Sequence, residues 1–164
     1  MLESFETFYQ SLMQFNPASH IILTVSPVRH LKDTLVLNSV SKSVLRLACH
    51  TLSTRHNNVH YFPSYEIMID DLRDYRFYKS DMIHPTEQAE SMIWDQFAPC
   101  YFDAPTRRFL AEWTSLRASL SHRPFHPSSA GHQQFLKKLL QRLEELNSHV
   151  DVNSEIADVK SRLI

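Results

Sequence analysis

The chain of 164 residues contains a single glycine, Gly131. Average usage of about 7% would give roughly a dozen. Enzymes with tight strand-to-helix turns, phosphate loops or nucleophile elbows depend on glycine, because it tolerates positive φ and lets the backbone approach a ligand closely. Such loops therefore either form no part of this protein or lie outside this chain.

Hydrophobic periodicity predicts a mostly helical chain with two short strands. The predicted elements are helix 2–15, strand 20–27, helix 38–55, strand 59–67, helix 85–97, helix 105–121 and helix 132–149. Residues 122–131 read as an extended link between the last two helices. The tail from Asp151 is either a last short helix or a frayed end.

The helix predicted over 38–55 has apolar residues on two sides. One side carries Val40, Val44, Leu47, Ala48 and Thr51, and the other carries Leu45, Cys49 and Leu52. A helix that is apolar on two sides is usually deeply buried, so we expect deep burial here.

The order helix, strand, helix, strand favours an α/β fold with a parallel sheet and right-handed crossovers. Two strands alone make a poor sheet, since a parallel pair leaves both edges bare. We therefore predict that residues 1–100 are the C-terminal half of a larger α/β domain and that residues 101–164 are a helical extension.

Charge and hydropathy exclude several classes of protein. The net charge is −1 with scattered basic residues, which gives no electrostatic footprint for nucleic acid or an anionic membrane. The N-terminus has no basic region typical of a signal peptide, and no apolar run approaches the ~18 residues of a membrane span. Cys49 and Cys100 lack CxxC spacing and are predicted to be reduced core residues of a cytosolic-type protein.

The segment Asp81-Met82-Ile83-His84-Pro85 carries a pattern suited to acid–base chemistry. A carboxylate three residues before a histidine can accept from its Nδ1–H, which leaves Nε2 free to take a proton. The chain has ten histidines, so the spacing alone is a weak signal. The position of the segment strengthens this signal, because the segment follows the last predicted strand, where open α/β sheets place their sites.

Longer segments carry a resemblance to a known family. TVSPVRHLKD (24–33), NSVSK (38–42), YFPSYEIMIDDLRDYRFYKSDMIHP (61–85) and HRPFHP (122–127) strongly resemble the GSCFA family of SGNH/GDSL-like hydrolases. The resemblance runs from about residue 15 to about residue 135, and the long aromatic–acidic block is its most specific part.

The resemblance implies a partial three-layer SGNH-hydrolase-like (flavodoxin-like) α/β fold and a Ser–His–Asp ester hydrolase that uses no cofactor. His84 would be the general base and Asp81 its orienting acid. The family's Gly-Ser-Cys-Phe-Ala motif, whose serine is the nucleophile, is absent from this sequence. The chain would then be inactive alone, and the intact protein would act on an ester-bearing small molecule or glycan.

Two serines and two basic residues are further candidates for the nucleophile and for substrate binding. Ser26 and Ser80 lie near the expected cleft, but neither has a glycine-flanked elbow, and both read as loop residues. Arg29 and His30 follow the first strand at the same rim, where they would bind a polar or anionic substrate group or make surface ion pairs.

The block from Asp70 to Tyr78 alternates acids, arginines and aromatics. One interpretation is a platform on which a sugar or base stacks on Tyr75 or Phe77. The favoured one is that Arg73 and Arg76 pair with neighbouring aspartates and, with Tyr75, brace the loop that presents Asp81 and His84. No metal site is expected, because the turn between His56 and His60 keeps them off one helix face.

A non-catalytic interaction module is the alternative function. The helical extension from residue 105 to 164 has an apolar stripe that would pack on a partner or on itself. The partners expected are a missing N-terminal half of the domain or a second copy of the chain.

Overall fold

The structure is a computed structural model that describes residues 1–30, 32 and 34–164. Leu31 and Asp33, which belong to the TVSPVRHLKD segment, lie outside the described residues. The chain divides into two compact units, Met1–Tyr101 and Phe102–Ile164.

The first unit alternates helices with two short strands. In chain order these are α1 (Leu2–Phe15), β1 (Ile21–Leu23), α2 (Leu35–Arg55), β2 (Val59–Tyr61), the one-turn α3 (Ser64–Glu66) and α4 (Glu87–Tyr101). A π-helical turn, Ile67–Asp71, and a 3₁₀ turn, Tyr75–Phe77, lie between α3 and α4.

The two strands pair in parallel, with Ile21 opposite Val59 and Leu23 opposite Tyr61. Both are shorter than the sequence predicts. The second strand stops early because Pro63 has no amide to donate to a ladder and α3 begins directly after it.

The predicted three-layer α/β sheet is wrong for this chain. Its described residues are mostly helical and form a single two-stranded sheet. Two strands of three residues each span only about 10 Å along the chain. Such a sheet is too small to separate two helical layers.

Helix α2 is buried on one side only. Lys42, Ala48 and Leu52 are its buried residues, and the helix contacts β2. The opposite side carries apolar residues that are half or more exposed, namely Val36, Val40, Val44 and Leu47, called here the α2 apolar face. The predicted deep burial of α2 is therefore wrong, because the small sheet offers a packing surface to one side alone.

The core of the first unit is formed by the segment that follows β2, packed against α4. It consists of Phe62, Ile67, Met68, Leu72, Phe77, Tyr78 and Ala89, with Ile93, Phe97 and Tyr101 packed against it. Tyr78 and Ala89 flank the segment that contains Asp81 and His84, so both ends of that segment are anchored in the core.

The second unit is a helical bundle of α5 (Ala104–Leu120), α6 (Ala130–Leu146) and α7 (Asn153–Arg162). Asp103 caps α5 by accepting from the Thr106 amide at 2.8 Å, and Ser129 caps α6 through the His132 amide. Such caps satisfy amides that have no partner within the helix. Of the two alternatives for the tail, the short helix is the one observed.

The apolar stripe of α6 faces the core of its own unit. This core contains Leu116, Leu136, Leu139, Leu143, Leu146, Val152 and Val159. The stripe that the sequence offered to a partner is therefore already covered. None of the helices in the described part of the chain combines the length and the hydropathy needed to cross a membrane.

Candidate active site

The segment from Phe77 to Thr86 folds back on itself and carries the predicted acid–base pair at its tip. Tyr78 and Pro85 form an antiparallel bridge. The Lys79 amide donates to the His84 carbonyl oxygen at 2.8 Å, and the Thr86 amide donates to the Phe77 carbonyl oxygen at 2.9 Å. The tip is thus held at its base by backbone hydrogen bonds.

Asp81 and His84 are hydrogen bonded to each other at this tip. His84 Nδ1 lies 2.7 Å from Asp81 Oδ2, and since a carboxylate can only accept, Nδ1 is the donor. In the neutral imidazole, Nε2 is then the acceptor. Both side chains are about half exposed, at 54% for His84 and 44% for Asp81, so Nε2 is accessible from solvent.

The other oxygen of Asp81 organises the backbone of the tip. Asp81 Oδ1 accepts from the amides of Ile83 at 2.8 Å and His84 at 3.0 Å. The hydrogen bond from the His84 side chain, followed by those from the His84 and Ile83 amides, holds the pKa of the Asp81 carboxyl well below its ordinary value. Asp81 therefore remains an anion beside the imidazole at neutral pH.

Met82, between the two, has a left-handed backbone with φ 59°. Its amide donates to the Lys79 carbonyl oxygen at 2.9 Å. A non-glycine residue in this region is uncommon and is held there by its surroundings. The two hydrogen bonds to Asp81 Oδ1 supply that constraint, since they fix the residues that follow Met82.

Arg29 connects the loop after β1 to the tip. Its amide donates to the Ile83 carbonyl oxygen at 3.3 Å, and its Nη1 donates to the Met82 carbonyl oxygen at 3.3 Å. The guanidinium also lies over the Tyr78 ring, 4.1 Å from its centroid. The structure therefore brings Arg29 to the same rim as Asp81 and His84.

His30 has a different role in the structure. Its amide donates to Asn38 Oδ1 at 2.8 Å, while its side chain is exposed. Among the described residues no hydrogen bond or ion pair of its imidazole is found, so it is not joined to the tip as Arg29 is.

A cavity of about 250 Å³ adjoins Arg29. Its lining consists of Arg29, Met68, Ile69, Leu72, Arg73, Asp74, Tyr75 and Tyr78. The predicted bracing residues Arg73 and Tyr75 thus contribute to a cavity wall next to the tip.

The ion pairs of this block form between near neighbours. Arg73 pairs with Asp70 at 3.4 Å and Arg76 with Asp74 at 3.7 Å. All four side chains are more than half exposed, so each pair contributes little to stability. Within residues 34–164 none of them bonds to Asp81 or His84.

The direct bracing comes from buried residues that the sequence reasoning had not selected. Phe77 and Tyr78 anchor the base of the tip in the core. The Tyr78 ring also makes a cation–π contact with the Arg29 guanidinium. The available signal was the apolar pair that ends an otherwise charged run, because such residues are more often buried than the acids and arginines around them.

Neither candidate serine supplies a nucleophile to His84. Ser26 Oγ accepts from the Val28 amide at 3.2 Å, and Ser80 is exposed. In residues 1–30, 32 and 34–164 no hydroxyl forms a hydrogen bond with His84.

The cysteines and histidines named from the sequence are used elsewhere. Cys49 is half-buried, and burial raises the pKa of its thiol. Cys100 is exposed, so its prediction as a core residue is wrong: it lies on the outer side of the last turn of α4. His56 pairs with Glu6 at 3.0 Å, and the described residues contain no group of three or more potential metal ligands.

Comparison with known proteins identifies the family. The model of the GSCFA family matches residues 1–97, and the model of the GSCFA domain protein C-terminal domain matches residues 113–164. Neither a curated protein nor a solved structure matches the chain. Because the first model alone covers more than half of the sequence, the chain belongs to the GSCFA family.

Proposed function

We propose that residues 1–101 carry the acid and base of a Ser–His–Asp ester hydrolase, and that the serine comes from a polypeptide segment outside these 164 residues. The observation that carries the proposal is the 2.7 Å hydrogen bond between Asp81 Oδ2 and His84 Nδ1. It leaves Nε2 as an accessible acceptor, which is the arrangement that a general base requires.

The proposed chemistry follows from that geometry. His84 Nε2 removes the proton of the serine hydroxyl as its oxygen bonds to the acyl carbon of the ester. Asp81 stabilises the imidazolium, and backbone donors of the serine-bearing segment hold the oxyanion. Collapse of the intermediate breaks the bond to the alcohol, which leaves with the proton from His84. Water then releases the acid by the same steps.

We infer that the substrate is an acyl ester on a small molecule or glycan. Arg29 and the adjoining cavity support this, because a guanidinium stacked on Tyr78 and an aromatic wall at Tyr75 suit a polar ring. Arg29 would contact the part of the substrate that is not the acyl group. His30, exposed on the same loop, would bind at the edge of that part.

The serine-bearing segment also needs a docking surface. Strand β1 pairs with β2 alone among the described strands, so one of its edges is open. The α2 apolar face exposes Val36, Val40, Val44 and Leu47 by half or more. We propose that the segment docks at this open edge and covers the α2 apolar face, because an unpaired strand edge and an exposed apolar patch are both surfaces that a second polypeptide segment can cover.

The second candidate is a non-catalytic assembly module, and the same α2 apolar face favours it. An exposed apolar patch of this kind is typical of a protein interface. The sequence encoded in frame upstream of Met1 separates the two functions. A Gly-Ser-Cys-Phe-Ala-like segment there favours the hydrolase, and an upstream segment without a serine motif favours the module.

A fluorophosphonate probe, which reacts with activated serines, tests the hydrolase directly. We expect the full reading frame to be labelled on a serine outside residues 1–164, and His84→Ala to abolish the labelling. His50→Ala, which removes an exposed histidine of α2, is the matched control and should label normally. Labelling that persists in His84→Ala would contradict the proposed base.

A further inference from the structure

The second unit contains a cavity with a basic lining. Its volume is about 530 Å³, and it lies where α5 ends, beside the first turn of α6. His122, Arg123, His132 and Arg162 line it together with Ser121 and neighbouring apolar atoms. Within residues 102–164, all of which the structure describes, no carboxylate lines this cavity. The HRPFHP segment, which the proposed hydrolase chemistry does not use, forms part of its wall.

Arg162 is a structural part of that wall. Its Nη1 donates to the Leu120 carbonyl oxygen at 2.9 Å, and its Nε and Nη2 pair with Asp158. These contacts join the end of α7 to the end of α5. The charge of Arg162 is therefore largely balanced, and the wall is fixed in place.

The other three basic side chains have donors to spare. The His122 and His132 rings lie 6.2 Å apart and both contact the Phe135 ring, at 5.7 and 5.9 Å between centroids. Within this unit no hydrogen bond or ion pair occupies their ring nitrogens or the Arg123 guanidinium. His132 stacks on the Phe135 ring and His122 meets it edge to face, so both imidazoles are held without using their polar atoms.

We propose that this cavity binds the phosphate group of a small organic phosphate monoester. Arg123 offers up to five N–H donors, and each imidazole offers at least one. Such a set suits the three terminal oxygens of a phosphate monoester, whereas a carboxylate presents two. The inference is independent of the proposed hydrolase, because it concerns other residues and binding alone.

An exposed aromatic side chain directly follows a lining residue, Pro124, in sequence and is available for the organic part of the ligand. Phe125 is 99% exposed, and the nearby Pro124 and Pro127 line the cavity. A phenylalanine wholly in water forgoes the favourable burial of its ring. Contact with a ring or apolar group of the bound ester would recover part of that burial.

Titration of the full chain by calorimetry and amide NMR at fixed ionic strength tests the proposal, with phenyl phosphate, inorganic phosphate and benzoate as probes. We expect saturable binding of phenyl phosphate, with shifts at residues 121–123 and 132. Arg123→Gln should weaken it by about tenfold or more, the effect of losing one charge-assisted hydrogen bond. Phe125→Ala should weaken phenyl phosphate but not inorganic phosphate.

Lys138→Gln is the matched control, since it removes an exposed positive charge of α6 outside the cavity; it should bind phenyl phosphate like the parent. Absence of saturable binding would overturn the site. Equal affinity for benzoate would overturn the phosphate assignment. Equal losses of phenyl phosphate affinity in Lys138→Gln and Arg123→Gln would overturn the site, since binding would then reflect general charge attraction.

Discussion

Lys42 Nζ donates to the carbonyl oxygen of Ser26 at 2.6 Å, although the lysine is only 3% exposed. One turn earlier on the same helix, Asn38 accepts from the His30 amide. Helix α2 thus holds the loop Ser26–His30 at two points, and Arg29 of that loop bonds to the tip that carries Asp81 and His84. The position of the acid–base pair depends on a buried lysine far from it in sequence.

The first prediction concerns the pH dependence of stability at Lys42. Burial lowers the pKa of its ammonium group below 10.5, so the unfolded chain binds this proton more tightly than the folded chain. The contribution of Lys42 to the free energy of unfolding therefore increases as pH rises from neutral toward 10.5. Lys42→Met should lack this increase. Urea unfolding of both proteins at pH 8 and pH 10 measures the difference. An identical pH response in parent and variant would show that the ammonium is not desolvated.

The second prediction concerns Asp81 in acid. Its pKa is depressed, first by the hydrogen bond from the His84 side chain. Its contribution to stability is then complete above the ordinary carboxyl value of 3.8 and is lost as pH falls below it toward the folded pKa. Asp81→Asn cannot titrate, so its unfolding free energy should fall less steeply below pH 4. Equal slopes for the two proteins would argue against the hydrogen bonds to this carboxylate.

The third prediction concerns the left-handed backbone of Met82. Valine at this position would be strained, since a β-branched side chain tolerates positive φ poorly. Met82→Val should lower the free energy of unfolding by about 1–2 kcal/mol, whereas Met82→Asn should be tolerated. Met92→Val on α4, at similar exposure, is the control for the loss of the methionine side chain. Equal effects at positions 82 and 92 would leave no role for the backbone.

The fourth prediction concerns the α2 apolar face. Val40→Lys and Val44→Lys replace residues that are half exposed, so together they should change the free energy of unfolding of this chain by less than about 1 kcal/mol. Leu52→Ala, at a buried position of the same helix, should cost about 2–4 kcal/mol. The double lysine variant should also prevent docking of the serine-bearing segment. Strong destabilisation by the two lysines would mean that α2 is already covered within this chain.

The helices and the local pairing were predictable because they depend on neighbours in sequence. The apolar spacing over residues 2–15 predicted α1, and the pairing of His84 with Asp81 follows from a three-residue separation that lets the carboxylate turn back. The parallel pairing of the two strands also agrees with the helix–strand alternation.

The predictions that were wrong concern contacts between residues that are distant in sequence. The resemblance implies a three-layer α/β fold built on a sheet, but the described residues supply only two strands of three residues each. The apolar pattern of α2 indicated burial without showing what would cover it. Lys42 was missed because a lysine usually lies on the solvated side. It stands seven residues, about two helical turns, before the half-buried Cys49, on the apolar stripe that also carries Leu52, and this was the available signal.

Hydrolysis of p-nitrophenyl acetate by the full reading frame tests the acid–base pair most directly. We predict that kcat/KM falls by at least about 10²-fold in His84→Ala, the smallest loss typical of removing a general base, and that His50→Ala keeps the parent value. Equal kcat/KM in His84→Ala and the parent would contradict the assignment of His84 as the base.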